Sequence, residues 1–324
     1  MEEWHKSEST EKEIKLDKKD KEILYQLDLN ARQSNAEIAK KLRLNKNVVS
    51  YRINRLESLG VIQGYETIID FSKLGFFLFR VYIDFYEFDI EKEKKMLDYL
   101  AKEKNISNLI KTIGDWNIIL NIYVKKLEEF DEIFYKILNN FREIIKNYDI
   151  EIVIKDKIIP RRYLIKEMGI LTDFLEIGGN PPDKIDNISN EIISLLTKNA
   201  KMPIIEIASK LKLTSMAVIH RINQLMKKKI IIGYKAKLDL DKIGYTRYKL
   251  FFELENTNII KNMISYCEIK NFVVMITKAI GNNFDFRIDL EINKPRQIYN
   301  IINDIKNKFP RKIRDYKYVK FIES

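Results

Sequence analysis

The chain repeats itself. Shifted by 169 positions, residues 16–75 overlay residues 185–244 without a gap, and 23 of the 60 pairs are identical. Chance agreement at roughly one in fifteen would give about four. The identities include Asp17/Asp186, Asn30/Asn199, Ala31/Ala200, Glu37/Glu206, Ala39/Ala208, Arg52/Arg221, Asn54/Asn223, Gly64/Gly233 and Tyr65/Tyr234. A tandem duplication follows, and any fold must be one that can be built twice. The length of 324 residues leaves room in each copy for two small domains.

Each copy opens on a three-helix pattern. In the first, Asp17 is placed to cap a helix bearing Ile23, Leu24 and Leu27, and Ser34 or Asn35 starts a second with Ile38, Ala39 and Leu42 inward. Asn45 caps a third that runs to about Leu59, with Val49, Ile53 and Leu56 at i, i+4 and i+7. Gly60 ends it, and Val61–Tyr65 begins an extended segment expected to form a wing. In the second copy Pro203 opens the second helix, Thr214 caps the third, and Val218, Ile222 and Leu225 face inward.

The outward faces of the two third helices differ. The first offers Asn45, Lys46, Asn47, Ser50, Tyr51, Arg52, Asn54 and Arg55. Lys and Arg reach phosphates or guanine edges, Asn pairs with adenine, and a small hydroxyl permits close approach, so this mixture suits the major groove of DNA. The second offers Thr214, Ser215, Met216, Ile219, His220, Arg221, Asn223 and Gln224, followed by Lys227, Lys228 and Lys229. Met216 and Ile219 stand where the first copy has Asn47 and Ser50. They touch thymine methyls or pack against protein, and the three lysines suit phosphate.

A second pattern follows each helical unit. Phe77, Phe79, Val81, Ile83 and Phe85 alternate with more polar residues, as a half-buried strand requires. Their counterparts are Tyr248, Leu250, Phe252 and Leu254. A helix, a hairpin, a second helix and a last strand complete each copy. The hairpins turn at Gly114-Asp115 and at Gly281-Asn282-Asn283, with Trp116 expected on the face of Ile118, Leu120 and Ile122, and Phe284 on that of Phe286 and Ile288. The order β-α-β-β-α-β is that of a ferredoxin-like unit. The expected division is a charged tail at 1–15, winged helix-turn-helix units at 16–66 and 185–235, ferredoxin-like units at 67–158 and 236–324, and a linker at 159–184.

The runs beginning LDKKDKEILYQL and IDNISNEIISLL, each ending in an I-x-G-Y element, resemble the winged helix-turn-helix of Lrp/AsnC transcriptional regulators. The resemblance covers nearly the whole chain, twice. It implies an α+β fold: two copies of a three-helix winged helix-turn-helix followed by a ferredoxin-like βαββαβ sandwich. It also implies double-stranded DNA as partner and amino-acid effector sites near the family's G-D-F-D hairpin. The corresponding residues are Gly114, Asp115 and Asn117 in the first copy and Gly281, Asn282 and Asp285 in the second, the first with Asn in place of the acid and the second with one residue more. Siroheme decarboxylases share the architecture and are also found fused in pairs. Their sheet region carries a histidine-containing pattern, whereas neither ferredoxin-like unit here contains a histidine, so no enzymatic activity is expected.

Charge agrees with a polyanionic partner. The chain carries 58 Lys and Arg against 47 Asp and Glu, a net charge of +11. Residues 185–254 hold 13 basic and 6 acidic side chains, and residues 16–85 hold 12 and 9. A single cysteine, Cys267, gives no disulfide framework, and two histidines, His5 and His220, give no histidine-rich metal centre. No cofactor is expected. From the charged start and short apolar runs the expectation is a cytoplasmic chain with no membrane segment. The expected function is sequence-specific transcriptional regulation, each chain acting as an internal pseudo-dimer open to further self-association; the alternatives are a siroheme-decarboxylase-like enzyme and a sensor or co-regulator without DNA binding.

Overall fold

A computed structural model describes residues 13–86, 90–165 and 174–323. The first copy runs α1 (Lys18–Leu29), α2 (Asn35–Leu42), α3 (Lys46–Ser58) and β1 (Ile62–Ile69), then β2 (Phe77–Phe85), α4 (Ile90–Leu100), β3 (Ile106–Gly114), β4 (Ile118–Val124), α5 (Leu127–Phe141) and β5 (Ile145–Ile158). A short strand, β6 (Leu175–Ile177), lies between the copies. The second copy repeats the series as α6 (Asn187–Lys198), α7 (Ile204–Leu211), α8 (Ser215–Lys227), β7 (Ile231–Leu238), β8 (Thr246–Leu254), α9 (Ile260–Glu268), β9 (Val273–Ile280), β10 (Phe286–Ile292), α10 (Gln297–Lys308) and β11 (Ile313–Glu323). No helix among the described residues is long and apolar enough to cross a membrane.

Local chemistry starts the helices where the sequence places them. Asp17 and Ser34 each form a reciprocal capping box, with Asp20 and Glu37. Asn45 accepts from the Asn47 N–H and Thr214 from the Ala217 N–H, so both third helices have side-chain caps. The turns before them are left-handed at Arg43 (φ 54°) and Lys212 (φ 53°).

β1 and β7 depart from the expected wings. They pair with each other in an antiparallel two-stranded sheet, Tyr65 opposite Ala236 and Thr67 opposite Tyr234. Each strand also enters the other copy's helical core. Ile69 packs among Ile192, Leu196 and Val218, and Ala236 and Leu238 pack among Ile23, Ile53 and Leu56. A free wing would have left these apolar side chains and one row of backbone donors and acceptors in water. The two heads are thus laced together.

The two βαββαβ units share one sheet. Strand order is β2-β4-β3-β11-β8-β10-β9-β5, and β2 also pairs with β5, closing eight antiparallel strands into a barrel with β6 added alongside β5. Two seams join the copies: β3 to β11, with Gly114 opposite Val319, and β5 to β9, with Asp156 opposite Thr277. Helices α4 and α5 cover the first half through Phe79, Val81, Ile83, Leu120 and Phe134. α9 and α10 cover the second through Leu250, Phe252, Ile288, Met263 and Ile302.

The inner face is filled with aromatic rings and ion pairs. Tyr82, Trp116, Phe251, Phe284 and Phe321 form one cluster, so Trp116 and Phe284 point inward, away from the helix-covered face expected for them. Both precede the first residue of their strands, where the alternation has not yet begun. Beside them Arg80 donates to Glu151 at 3.2 Å and to Asp156 at 3.0 Å, and Arg247 reaches Asp289 at 2.9 Å. Arg287 contacts Glu151 and Lys249 contacts Asp289. Burial alone would raise the Asp289 carboxyl, but Lys249 and Arg247 hold it below the ordinary carboxylate value.

The stretch between the copies is fastened at several points. Leu164 is buried in the first helical core, and Arg162 donates to the backbone oxygens of Glu268 and Lys270. The Asp183 N–H bonds Lys73 O at 2.7 Å, just as the Ile14 N–H bonds Lys242 O at 2.7 Å in the other copy.

Candidate nucleic-acid interface

Each head places its third helix with one side on the core and the other in solvent. Val49, Ile53 and Leu56 are buried under α3, and Val218, Ile222 and Leu225 under α8. On α3 the side chains of Lys46, Asn47, Tyr51 and Asn54 are exposed, Tyr51 by 68%. Ser50 is half-buried and accepts from Asn35 Nδ2 at 2.9 Å, so α2 contributes a polar residue beside the outward face of α3. That neighbour was missed in the sequence, because Asn35 was read only as a helix start.

The arginines behave differently from the lysines and asparagines. Arg52 Nη1 donates to Asp17 at 2.8 Å and to the buried Asp20 at 2.7 Å, and Arg55 reaches Asp20 at 3.2 Å. They clamp α3 to the start of α1. In the second head Arg221 bonds Asp186 at 2.6 Å, and this hydrogen bond holds the Asp186 carboxyl down to about 2. Arg52, Arg55 and Arg221 therefore hold each third helix against the start of the first helix of its head.

On α8 Met216 and Ile219 are exposed by 74% and 41%, and Asn223 also faces solvent. Thr214 is the cap and Ser215 is half-buried at the first helical position. His220 and Gln224 are hydrogen-bonded to each other at 2.9 Å. Lys227 and Lys229 are exposed at the far end, and Lys228 donates to Lys184 O at 3.2 Å. Ile205 at the start of α7 is 76% exposed and was also missed; an isoleucine there reads as core by composition.

The hairpin residues that the resemblance linked to an effector lie at the seams between the copies. A Cβ on Gly114 (φ +132°) would stand 2.6 Å from Tyr318 O, and one on Gly281 (φ +124°) 2.6 Å from Ile150 O. Asp115 accepts from the Tyr318 N–H, and Asn282 accepts from Arg287. Asn117 and Asp285 accept from the Phe85 and Leu254 N–H groups at 2.7 and 2.8 Å, so the amide of the first copy and the acid of the second perform the same service. The structure brings these residues together as two separate sets, one per seam.

The geometry defines a protein with two helix-turn-helix heads on a common barrel. A family model for winged helix-turn-helix DNA-binding domains matches residues 16–63 and 185–232. An HTH-type transcriptional regulator of Pyrococcus furiosus is 30% identical over 133 residues, 41% of this chain and 84% of that protein. The HTH-type transcriptional regulator LrpB of Bacillus subtilis is 26% identical over 144 residues, 42% of this chain and 95% of its own length. Among solved structures, the siroheme decarboxylase NirDL superposes with a TM-score of 0.62 at 12% identity, covering 94% of this chain and 91% of that one, a likeness of fold. The chain belongs to the Lrp/AsnC family of HTH-type transcriptional regulators, in a tandem-duplicated form.

Proposed function

We propose that the chain is a sequence-specific DNA-binding regulator in which the two fused copies act as one internal pseudo-dimer, α3 and α8 reading two half-sites of a single duplex. The lacing of β1 with β7 carries this reading, because it couples two solvent-facing reading helices without a second chain. Family members address half-sites one helical turn or a multiple apart, and fusion raises the effective concentration of the second head. The two outward faces differ, so the half-sites are unequal.

The test is selection of duplexes from a random pool by the full-length chain, followed by fluorescence anisotropy at several salt concentrations. The expected result is a bipartite, non-palindromic site bound with a strong salt dependence. Replacing Lys227, Lys228 and Lys229 with alanine should flatten the salt slope by about one for each phosphate contact removed. Strict palindromes would overturn intramolecular pairing in favour of two chains reading through α3.

The full-length fold match favours a second reading, tetrapyrrole chemistry in the barrel. Against it stand the packed inner face and the histidine-free barrel strands. Anaerobic incubation with siroheme decides: conversion to a decarboxylated product establishes this reading, and unchanged siroheme removes it.

A further inference from the structure

We propose that the second head reads thymine through its C5 methyl groups, with Met216 and Ile219 as the specificity-determining residues; this rests on the DNA-binding reading above. The two side chains lie three positions apart on one face of α8, and both are exposed. Asn47 and Ser50 hold the matching places on α3, where Ser50 accepts from Asn35. In the second head the Asn35 and Ser50 positions carry Ile204 and Ile219. A polar reading surface has become apolar while the buried stripe, Val49, Ile53 and Leu56 against Val218, Ile222 and Leu225, is conserved in character.

An apolar pair at a groove-facing position needs an apolar partner, and in the major groove that partner is the thymine methyl. Met216, unbranched and flexible, fits itself to a methyl row without exact spacing. The surroundings favour nucleic acid over an apolar protein face. α8 carries no acidic side chain, and Lys212 before it, Lys227 at its last position and Lys229 after it are exposed. These cations sit at both ends of the apolar pair, where phosphates flank a groove.

The experiment replaces thymine with deoxyuridine, which deletes the methyl and keeps base pairing. A duplex selected by the full-length chain is substituted in one half-site at a time and titrated by anisotropy. Expected is a loss of about fourfold for each contacted methyl in one half-site only. The Met216→Asn/Ile219→Ser variant, and Ile219→Ser alone, should bind thymine and deoxyuridine duplexes with ratios closer to one, their folding checked by circular dichroism. A wild-type chain that binds its duplex tightly but ignores deoxyuridine in both halves overturns the inference and leaves the regulator reading standing. A wild-type chain that binds no duplex overturns both. A double variant that keeps full deoxyuridine sensitivity while its sedimentation shifts to a smaller species also overturns it, by making the patch a contact between copies of this chain.

Discussion

Arg161 grips Asp28 twice: Nη1 donates to Oδ1 at 2.7 Å, and the backbone N–H donates to Oδ2 at 2.8 Å. The same guanidinium donates from Nε to Glu291 at 2.8 Å, so one side chain from the inter-copy stretch ties α1 of the first head to β10 of the barrel. Lys235 on β7 lies 3.0 Å from Asp28, and the Tyr163 hydroxyl donates to Glu291. Both carboxylates are fully buried.

Arg161→Ala should therefore cost about 3–5 kcal/mol, since it leaves the buried Glu291 without a cation and the buried Asp28 with Lys235 in place of two. Urea unfolding followed by circular dichroism measures this. A loss below about 1 kcal/mol would mean that water reaches Asp28 and Glu291 once the arginine is gone.

Arg52→Ala and Arg221→Ala occupy equivalent positions with unequal expected effects. Arg52 serves Asp20, whose side chain is 1% exposed, whereas Arg221 serves Asp186, which is 55% exposed. The first substitution should cost about 1–3 kcal/mol and the second less than about 1. Equal losses would show that the clamp of α3 on α1 is no tighter than that of α8 on α6.

Acid should unfold the chain in a defined window. Burial would raise Asp28, but Lys235 and Arg161 hold it below the ordinary 3.8, and Asp289 is lowered as well. A carboxyl depressed on folding adds stability above its unfolded value and gives it up as pH falls through the folded one. The melting temperature should thus lose nothing to these groups between pH 7 and pH 5 and fall progressively below about pH 4. Asp28→Asn should blunt that fall. Stability that rises on acidification below that point would contradict the assignment.

Gly114→Ala and Gly281→Ala should each cost about 1–3 kcal/mol by placing a methyl against backbone at a left-handed φ. Hydrogen exchange locates the damage. The Phe321 region should open in the first variant and the Ile152 region in the second, because Phe321 pairs with Thr112 and Ile152 with Ile280. Unchanged exchange at both seams would mean that the strands adjust without strain.

The helical heads were legible because their signals are local. Asp17, Ser34, Asn45 and Thr214 cap within three residues of themselves, and the apolar stripes repeat within one helix. The pairing of β1 with β7 was not legible, since Tyr65 and Ala236 are distant in sequence and either strand alone reads as an edge. Alternation on β2 and β8 indicates half-buried strands, whereas both faces are covered: Tyr82 and Phe251, on the face away from the helices, are buried as well. Arg80 and Lys249 look like solvent-facing residues until carboxylates on other strands of their own copies, Glu151 and Asp289, and the closed barrel shut over them. Arg52 and Arg55 were readable as basic and outward, but their partners on α1 depend on how two helices cross.

Closure of the sheet sets the stoichiometry. With β3 and β5 of one copy already taken by β11 and β9 of the other, neither half offers the edge that a stray half-length relative would need. Dilution cannot part the covalently joined halves, so the ratio of the two heads is settled when the chain is translated. A cell that made this protein alongside single-unit relatives would keep the two circuits apart by connectivity alone.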